Sequence, residues 1–318
     1  MRLSIIVTVY NKEQYIERCL NSCLHQASVG SDFYEILVID DGSTDNSRAL
    51  IRRCIQDKGN VRLISQDNQG LSVARNNGVK EAKGEYIWFV DADDYISQEA
   101  VSLVLEASQG TPDVIPIQAK TDGVSRVRNE IPSSAKDGRS VLLSKKWAFC
   151  GPFYVYKKSF LIDNNLNYYP GIYHEDSELT PRLLCHAKSV IVIDKVLYFV
   201  SRDPNSITQV PKAKRAYDYV FIADRLSQFV SDEIREDSAL KSVFDGLLSV
   251  IINNALSIIV LFDPEERKRF DKRLYQSREM LHSLSRGGHI KYAIEFYLFS
   301  FFPGHYTQVY SFLKRFAF

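Results

Sequence analysis

Between residues 3 and 118 the chain repeats one alternation, a short β-prone apolar run followed by a stretch with helical spacing. The apolar runs fall at 3–9, 35–39, 61–65, 86–90 and 114–118, and the helical stretches at 14–26, 46–57, 71–82 and 98–108. Strands apolar on both faces must be covered on both faces, and helical connections achieve that over a parallel sheet. The pattern therefore predicts an α/β fold, a mostly parallel sheet flanked by helices. Ser97 is the expected N-cap of the fourth helix, and Gly84 is placed to stop the third. Ligands of such sheets bind beyond the carboxyl ends of the strands.

Residues 119–146 are polar, with Gly123, Pro132 and Gly138, and read as loop. A second α/β stretch follows, with strands at 153–156, 190–193 and 197–200 and a helix at 176–187. Beyond Pro211 the pattern is helical, at 213–230, 238–262, 265–284 and 289–316. The expected organisation is a first domain over 1–210, in halves of about 1–118 and 119–210, and a helical region over 211–318.

Composition narrows the classes. The 318 residues can bury one large core, or one large and one small. Forty basic against 39 acidic residues leave a net charge of +1, without the basic excess of a nucleic-acid-coating protein. The five cysteines are scattered and form no CxxC pair, which points to reduced thiols, a cytoplasmic setting and no zinc site. The run at 3–9 is too short for a signal-peptide core, and no window of about 18 apolar residues is expected to span a membrane.

Three predicted strands end in polar residues, so their groups share one sheet edge. The first enters Thr8, Val9, Tyr10 and Asn11, the second Asp40-Asp41-Gly42-Ser43-Thr44-Asp45, and the fourth Asp91-Ala92-Asp93-Asp94. Three carboxylates within four residues repel one another unless a cation or donors compensate. Oxygen ligands with no nearby His or Cys suit Mg²⁺ or Mn²⁺, bound through one or two carboxylates plus substrate phosphates. A turn whose aspartates cap a helix is the structural alternative. Asp40 and Asp41 suit the N–H and hydroxyl groups of a nucleoside, or else belong to a turn with Asp45 as the helix cap. In Asn68-Gln69-Gly70-Leu71-Ser72-Val73-Ala74-Arg75, a glycine opens a helix and Arg75 lies on its second turn. A helix N-terminus with an arginine favours a diphosphate.

These four motifs, in this order over roughly the first 100 residues, resemble family 2 glycosyltransferases of the GT-A fold. The resemblance implies an inverting transferase that takes one sugar from a nucleoside-diphosphate sugar. It makes 1–118 the nucleotide-binding half and 119–210 the acceptor half. By it, Thr8, Tyr10 and Asp40 line the nucleoside pocket, Asp91 meets the ribose and Asp93 binds the metal, Mg²⁺ or Mn²⁺. The general base falls in Tyr173-His174-Glu175-Asp176, with Asp176 the first choice and Glu175 the second; helix-dipole preference for acidic residues is the bland alternative. His174 reads as a pocket wall or a satisfied polar group. The stretch with Arg202 and Ser206-Ile207-Thr208 resembles the family's continuation, which implies that Arg202 reaches the leaving diphosphate.

The Gln-x-x-Arg-Trp segment of processive members is missing, which favours single transfer. The aromatic C-terminus, 289–318, reads either as a peripheral membrane contact, where a lipid-linked glycan acceptor would wait, or as core or dimer interface. Localisation is then the cytoplasm, at the inner face of the cell membrane if that contact forms. Two other functions fit the α/β pattern. A sugar-nucleotide nucleotidyltransferase should carry a glycine-rich basic loop after the first strand, where Tyr10-Asn11-Lys12-Glu13 stands. A non-catalytic sugar-nucleotide-binding partner need not keep both Asp93 and Asp176.

Overall fold

The computed structural model describes residues 1–202, 211–287 and 290–316. It divides into two compact units. One holds Met1–Gly171 and 175–202; the other holds Ile172–His174 and 211–316 of the described residues.

In the first unit, β1 (Leu3–Val9) and β2 (Tyr34–Asp40) are buried at every position, as strands covered on both faces must be. They pair in parallel, Leu3 against Tyr34 and Val9 against Asp40. β3 (Val61–Ser65) extends the parallel block on one side and β4 (Tyr86–Asp91) on the other, with Thr8 opposite Asp91. The strand ends at Thr8, Asp40 and Asp91 therefore share one edge. The connections are α1 (Ile16–Leu24), α2 (Ser47–Ile55) and α3 (Leu71–Glu81).

Further along come β5 (Tyr95–Ile96), α4 (Ala100–Ser108), β6 (Val114–Thr121), β7 (Val127–Arg128), α5 (Gly138–Ser144), β8 (Tyr154–Lys157), α6 (Lys158–Asp163), α7 (Glu175–His186) and β9 (Ile193–Val200). The sheet order is β3-β2-β1-β4-β8-β6-β9-β5, with β7 on β6. β8 runs antiparallel to both β4 and β6, so the second half of the sheet mixes directions.

Several local expectations are corrected. The polar segment 119–146 contains the end of β6, β7 and α5, and α5 is started by a capping box between Asp137 and Ser140. The run at 190–193 is not a separate strand: Val190 makes a lone bridge to Val114, and β9 begins at Ile193. Ser97 does not cap α4; it sits two residues early, bonding through its backbone to Leu197 and Ala100.

The second unit is helical: α8 (Ala213–Glu233), α9 (Ser238–Ile259), α10 (Pro264–Tyr275), α11 (Arg278–Gly287), α12 (Ile290–Phe301) and α13 (Tyr306–Phe316). The stretches expected as single helices at 265–284 and 289–316 are each two. Pro303 and Gly304 (φ 80°) break the latter. Asp271 ties the start of α13 to α10, accepting from the Thr307 backbone at 2.9 Å and its hydroxyl at 2.8 Å. The expectation of no membrane-length apolar window is also corrected. α9 is long and apolar enough to cross one, with a mean hydropathy of 1.6, but 61% of that window is buried inside the protein.

Within this unit His174 stacks on Tyr219, ring centroids 4.0 Å apart, and accepts from Arg215 Nε at 3.2 Å. Burial and then the charge of Arg215 push its pKa down to about 4, so it is a neutral, satisfied polar group. Among the C-terminal aromatics, Phe296, Phe299, Tyr306 and Tyr310 are buried, whereas Tyr297, Phe301, Phe302 and Phe312 are exposed.

Candidate active site

The site lies in the first unit. α3 leaves Gly70, and Gly78 lets it lie directly on the sheet: a Cβ there would come within 2.5 Å of Ile6 Cγ2. That close approach sinks Arg75, one turn earlier, to 1% exposure.

Arg75 is the hub. Its Nη2 donates to Asp91 Oδ1 at 2.8 Å, and its Nη1 to Glu175 Oε1 at 3.0 Å and Asp176 Oδ1 at 3.2 Å. The Tyr168 ring covers its guanidinium carbon at 4.9 Å. Burial opposes the charge on Arg75, but Asp176 and Asp91 outweigh it and hold the group firmly protonated. This corrects the expected place of Arg75. It is not open to a diphosphate; it neutralises three carboxylates, because two of them arrive from α7, 100 and 101 positions away.

Glu175 and Asp176 open α7, their side chains 12% and 17% exposed. Burial and then the neighbouring Asp176 charge push the Glu175 pKa up to about 7, against Arg75. Pro181, inside the same helix, has no N–H to return to the first turn. Beneath the pair runs a 3-10 turn, Gly151–Phe153. A Cβ on Gly151 would lie 2.8 Å from Asp176 Oδ1 and 2.2 Å from the Tyr168 hydroxyl. That hydroxyl and Arg75 Nε are buried without a hydrogen-bond partner in the structure. Burial, then the charges of Asp176 and Asp91, keep the Cys150 thiol protonated well above its usual range.

The turn after β4 separates its three carboxylates. Asp91 faces Arg75. Asp94 is buried, accepting from the Tyr198 hydroxyl and from Ser201 N–H, both at 2.8 Å. Burial, Asp91 and Asp93 push its pKa up to about 8. Asp93 is partly exposed and pairs through Oδ2 with Lys12 Nζ at 2.5 Å.

Asp40 and Asp41 are both buried. Asp40 accepts from Arg48 Nε at 2.6 Å and Ser43 N–H at 3.0 Å. Asp41 accepts from Gln66 Nε2 at 2.8 Å, Gln69 N–H at 2.9 Å and Gly70 N–H at 2.8 Å. Their oxygens therefore hold the loops of this edge instead of standing open to a nucleoside as expected. Thr8 is buried at the end of β1, and Tyr10 is exposed. Asp45 accepts from Ser47 N–H at 2.9 Å but is not the expected cap: the N-cap of α2 is Asn46, and Asp45 sits one residue before it. Arg202 is exposed beside Gly123, and Ser206-Ile207-Thr208 lie outside the described residues.

Lys12, Tyr168, Tyr198 and the Cys150-Gly151 turn are site residues that sequence reasoning misses. Each acquires its place through tertiary packing; only the position of Lys12 next to Asn11 in the first motif offers a signal.

No group of three or more His, Cys, Asp or Glu side chains disposed to hold a metal occurs among the described residues. Asp93 nevertheless suits Mg²⁺ or Mn²⁺ in the way those ions bind to nucleotide substrates, by one or two carboxylates with phosphates completing the shell. Its carboxylate is partly exposed and already faces a cation.

The sheet edge thus gathers the spaced aspartates and the helix-start carboxylates around one guanidinium. The profile of Glycosyl transferase family 2 matches residues 4–164, half of the sequence, and the chain belongs to that family. "Uncharacterized glycosyltransferase EpsJ" of Bacillus subtilis (strain 168) is 33% identical over 222 residues, 66% of this chain and 63% of its own. The poly(ribitol-phosphate) beta-glucosyltransferase of Bacillus spizizenii is 30% identical over 80% of this chain and 40% of its own length. This chain thus spans less than two thirds of either relative. The S. aureus TarS 1-349 structure, in complex with UDP-GlcNAc, superposes with a TM-score of 0.79 at 21% identity, covering 100% of this chain and 93% of that one. The fold is accordingly GT-A.

Proposed function

We propose that this protein is an inverting glycosyltransferase that moves one sugar from a nucleoside-diphosphate sugar to an acceptor hydroxyl. The observation that carries the reading is the sharing of one buried cation, Arg75, by the strand-end Asp91 and the helix-start Glu175 and Asp176. Asp176 has Oδ1 on Arg75, and its other oxygen serves as the base. It takes the acceptor proton as the acceptor oxygen bonds to the anomeric carbon and the bond to the diphosphate breaks. Glu175 has Oε1 on the same guanidinium and serves to orient the pair. Asp91 and Thr8 stand at the strand ends where the nucleoside would lie, Tyr10 beside them, and Arg202 is a further donor ligand from the rim.

Asp93 would hold the divalent cation that this family generally uses, and when bound that ion neutralises the leaving diphosphate. The test is paired substitution. Asp176→Asn is expected to keep donor affinity and lower kcat by about 10³-fold, as loss of a transition-state interaction does. A larger loss with Glu175→Gln would exchange the two roles.

The proposed role is in bacterial surface polysaccharide synthesis, with a glycan or lipid-linked acceptor; the poly(ribitol-phosphate) beta-glucosyltransferase among the relatives supports a polymer as the acceptor's class. One bond per encounter is the expected outcome. Mass spectrometry showing long ladders while most acceptor remains untouched would overturn it. The exposed Tyr297, Phe301, Phe302 and Phe312 favour a peripheral membrane contact. Failure of the protein to float with anionic liposomes would remove that contact.

A further inference from the structure

The hydroxyl of Tyr168 has no part in the reading above. The side chain is 2% exposed, and its hydroxyl meets no hydrogen-bond partner among the described residues. An unpaired buried hydroxyl costs stability, and a phenylalanine would pack the same ring without that cost. The ring is firmly placed. Asn76 holds the Tyr168 backbone from both directions, donating to its carbonyl at 2.8 Å and accepting from its N–H at 3.0 Å. Phe89 meets the ring edge-on, centroids 5.5 Å apart, and the Arg75 guanidinium carbon lies 4.9 Å from its centre. Only the hydroxyl proton is left to rotate. Gly151 decides what that proton can reach. A Cβ there would come within 2.2 Å of the hydroxyl and 2.8 Å of Asp176 Oδ1, so both oxygens border one small space that only a glycine leaves open. Asp176 is also the least tightly held of the carboxylates on Arg75, at 3.2 Å against 3.0 and 2.8 Å for Glu175 and Asp91. Burial and then the Asp176 charge push the Tyr168 pKa well above the usual tyrosine range, so the group keeps its proton and is a donor. Catalytic hydrogen bonds that are long in an unloaded site tighten when substrate fills it.

We propose that Tyr168 is a positioning residue for the base, its hydroxyl donating to Asp176 Oδ1 once donor and acceptor fill the site. Two donors, the hydroxyl and Arg75, then fix the plane of the carboxylate and aim its other oxygen at the acceptor hydroxyl. The acceptor proton goes to Asp176, and Tyr168 keeps its own throughout. This rests on Asp176 being the base.

The full chain is assayed with a panel of UDP-, GDP- and dTDP-hexoses and Mn²⁺, water serving as the acceptor, and release of the nucleoside diphosphate is followed. For the donor used fastest, Tyr168→Phe is expected to lower kcat by about 10–100-fold, the scale of one hydrogen bond to a charged group, and to leave the donor KM as it is. Its melting temperature should equal or exceed that of the wild type, because the change removes an unpaired polar atom. Added to Asp176→Asn, the same change should cost nothing further, as for two residues that act as a unit. An unaltered kcat, a loss confined to KM, a lowered melting temperature, or a full additional loss on top of Asp176→Asn each overturns the proposal. Asp176→Asn alone is the separate control. Wild-type kcat in that variant would remove the base itself, an outcome distinct from a silent Tyr168→Phe.

Discussion

Two sets of carboxylates stand on the same sheet edge and are held in opposite ways. Asp40 and Asp41 are buried and served by local donors, among them Ser43, Gln69 and Gly70 on the loops that they shape. Asp91, Glu175 and Asp176 come from distant parts of the chain and lean on one guanidinium. The first set fixes loop shape: Asp40 pairs with Arg48 of the following helix and Asp41 with Gln66, and backbone N–H groups complete both. The second keeps partly exposed oxygens but concentrates negative charge, which Arg75 must balance. The same residue type at the same edge thus does different work according to where its counter-charge originates.

The hardest test of that contrast is Arg75→Ala. Removing the shared cation strands three carboxylates, two of them little exposed, and is expected to cost about 3–5 kcal/mol, read by chemical denaturation. A loss no larger than that of an exposed ion pair would mean the carboxylates are neutralised some other way. Asp41→Ala should cost less, about 1–3 kcal/mol, because it leaves buried N–H donors unpaired. If Asp41→Ala instead abolished donor binding at an unchanged melting temperature, Asp41 would belong with the second set and the contrast would break.

The smallest effect is in pH. Glu175 holds its proton to about pH 7 in the folded chain, above its ordinary 4.5. The folded state therefore binds more protons than the unfolded state between those values. Its contribution to stability is full below pH 4.5 and is lost as the pH rises through 7. Melting temperatures of Glu175→Gln across pH 4.5 to 8 should lose that slope relative to wild type; an identical slope would remove Glu175 as its source.

The strands of the parallel block are legible in the sequence because burial on both faces leaves an apolar run with few rivals. The ends of β1 fall where the sequence places them, and so do those of β3, although that edge strand is only half-buried. The two breaks in the C-terminal helices differ in kind. Pro303-Gly304 is a readable stop that the surrounding aromatics mask, whereas Gln276 and Ser277, between α10 and α11, carry no breaking residue, so packing decides there. At the site, the acidic motifs are visible because their chemistry is local. Their partners are not: Arg75 looks like a phosphate ligand until the fold brings α7 to it, and Tyr168 becomes its cover through Asn76, which bonds the Tyr168 backbone at 2.8 and 3.0 Å.

Pro181 gives α7 an uneven stiffness. The turn carrying Glu175 and Asp176 lacks the bond that an N–H at position 181 would return to the carbonyl of Ser177. Its resting position is set less by the helix behind it than by the guanidinium in front. A change of charge around Arg75 would therefore act on that turn like a load on a spring, shifting it while the rest of the helix stays at rest.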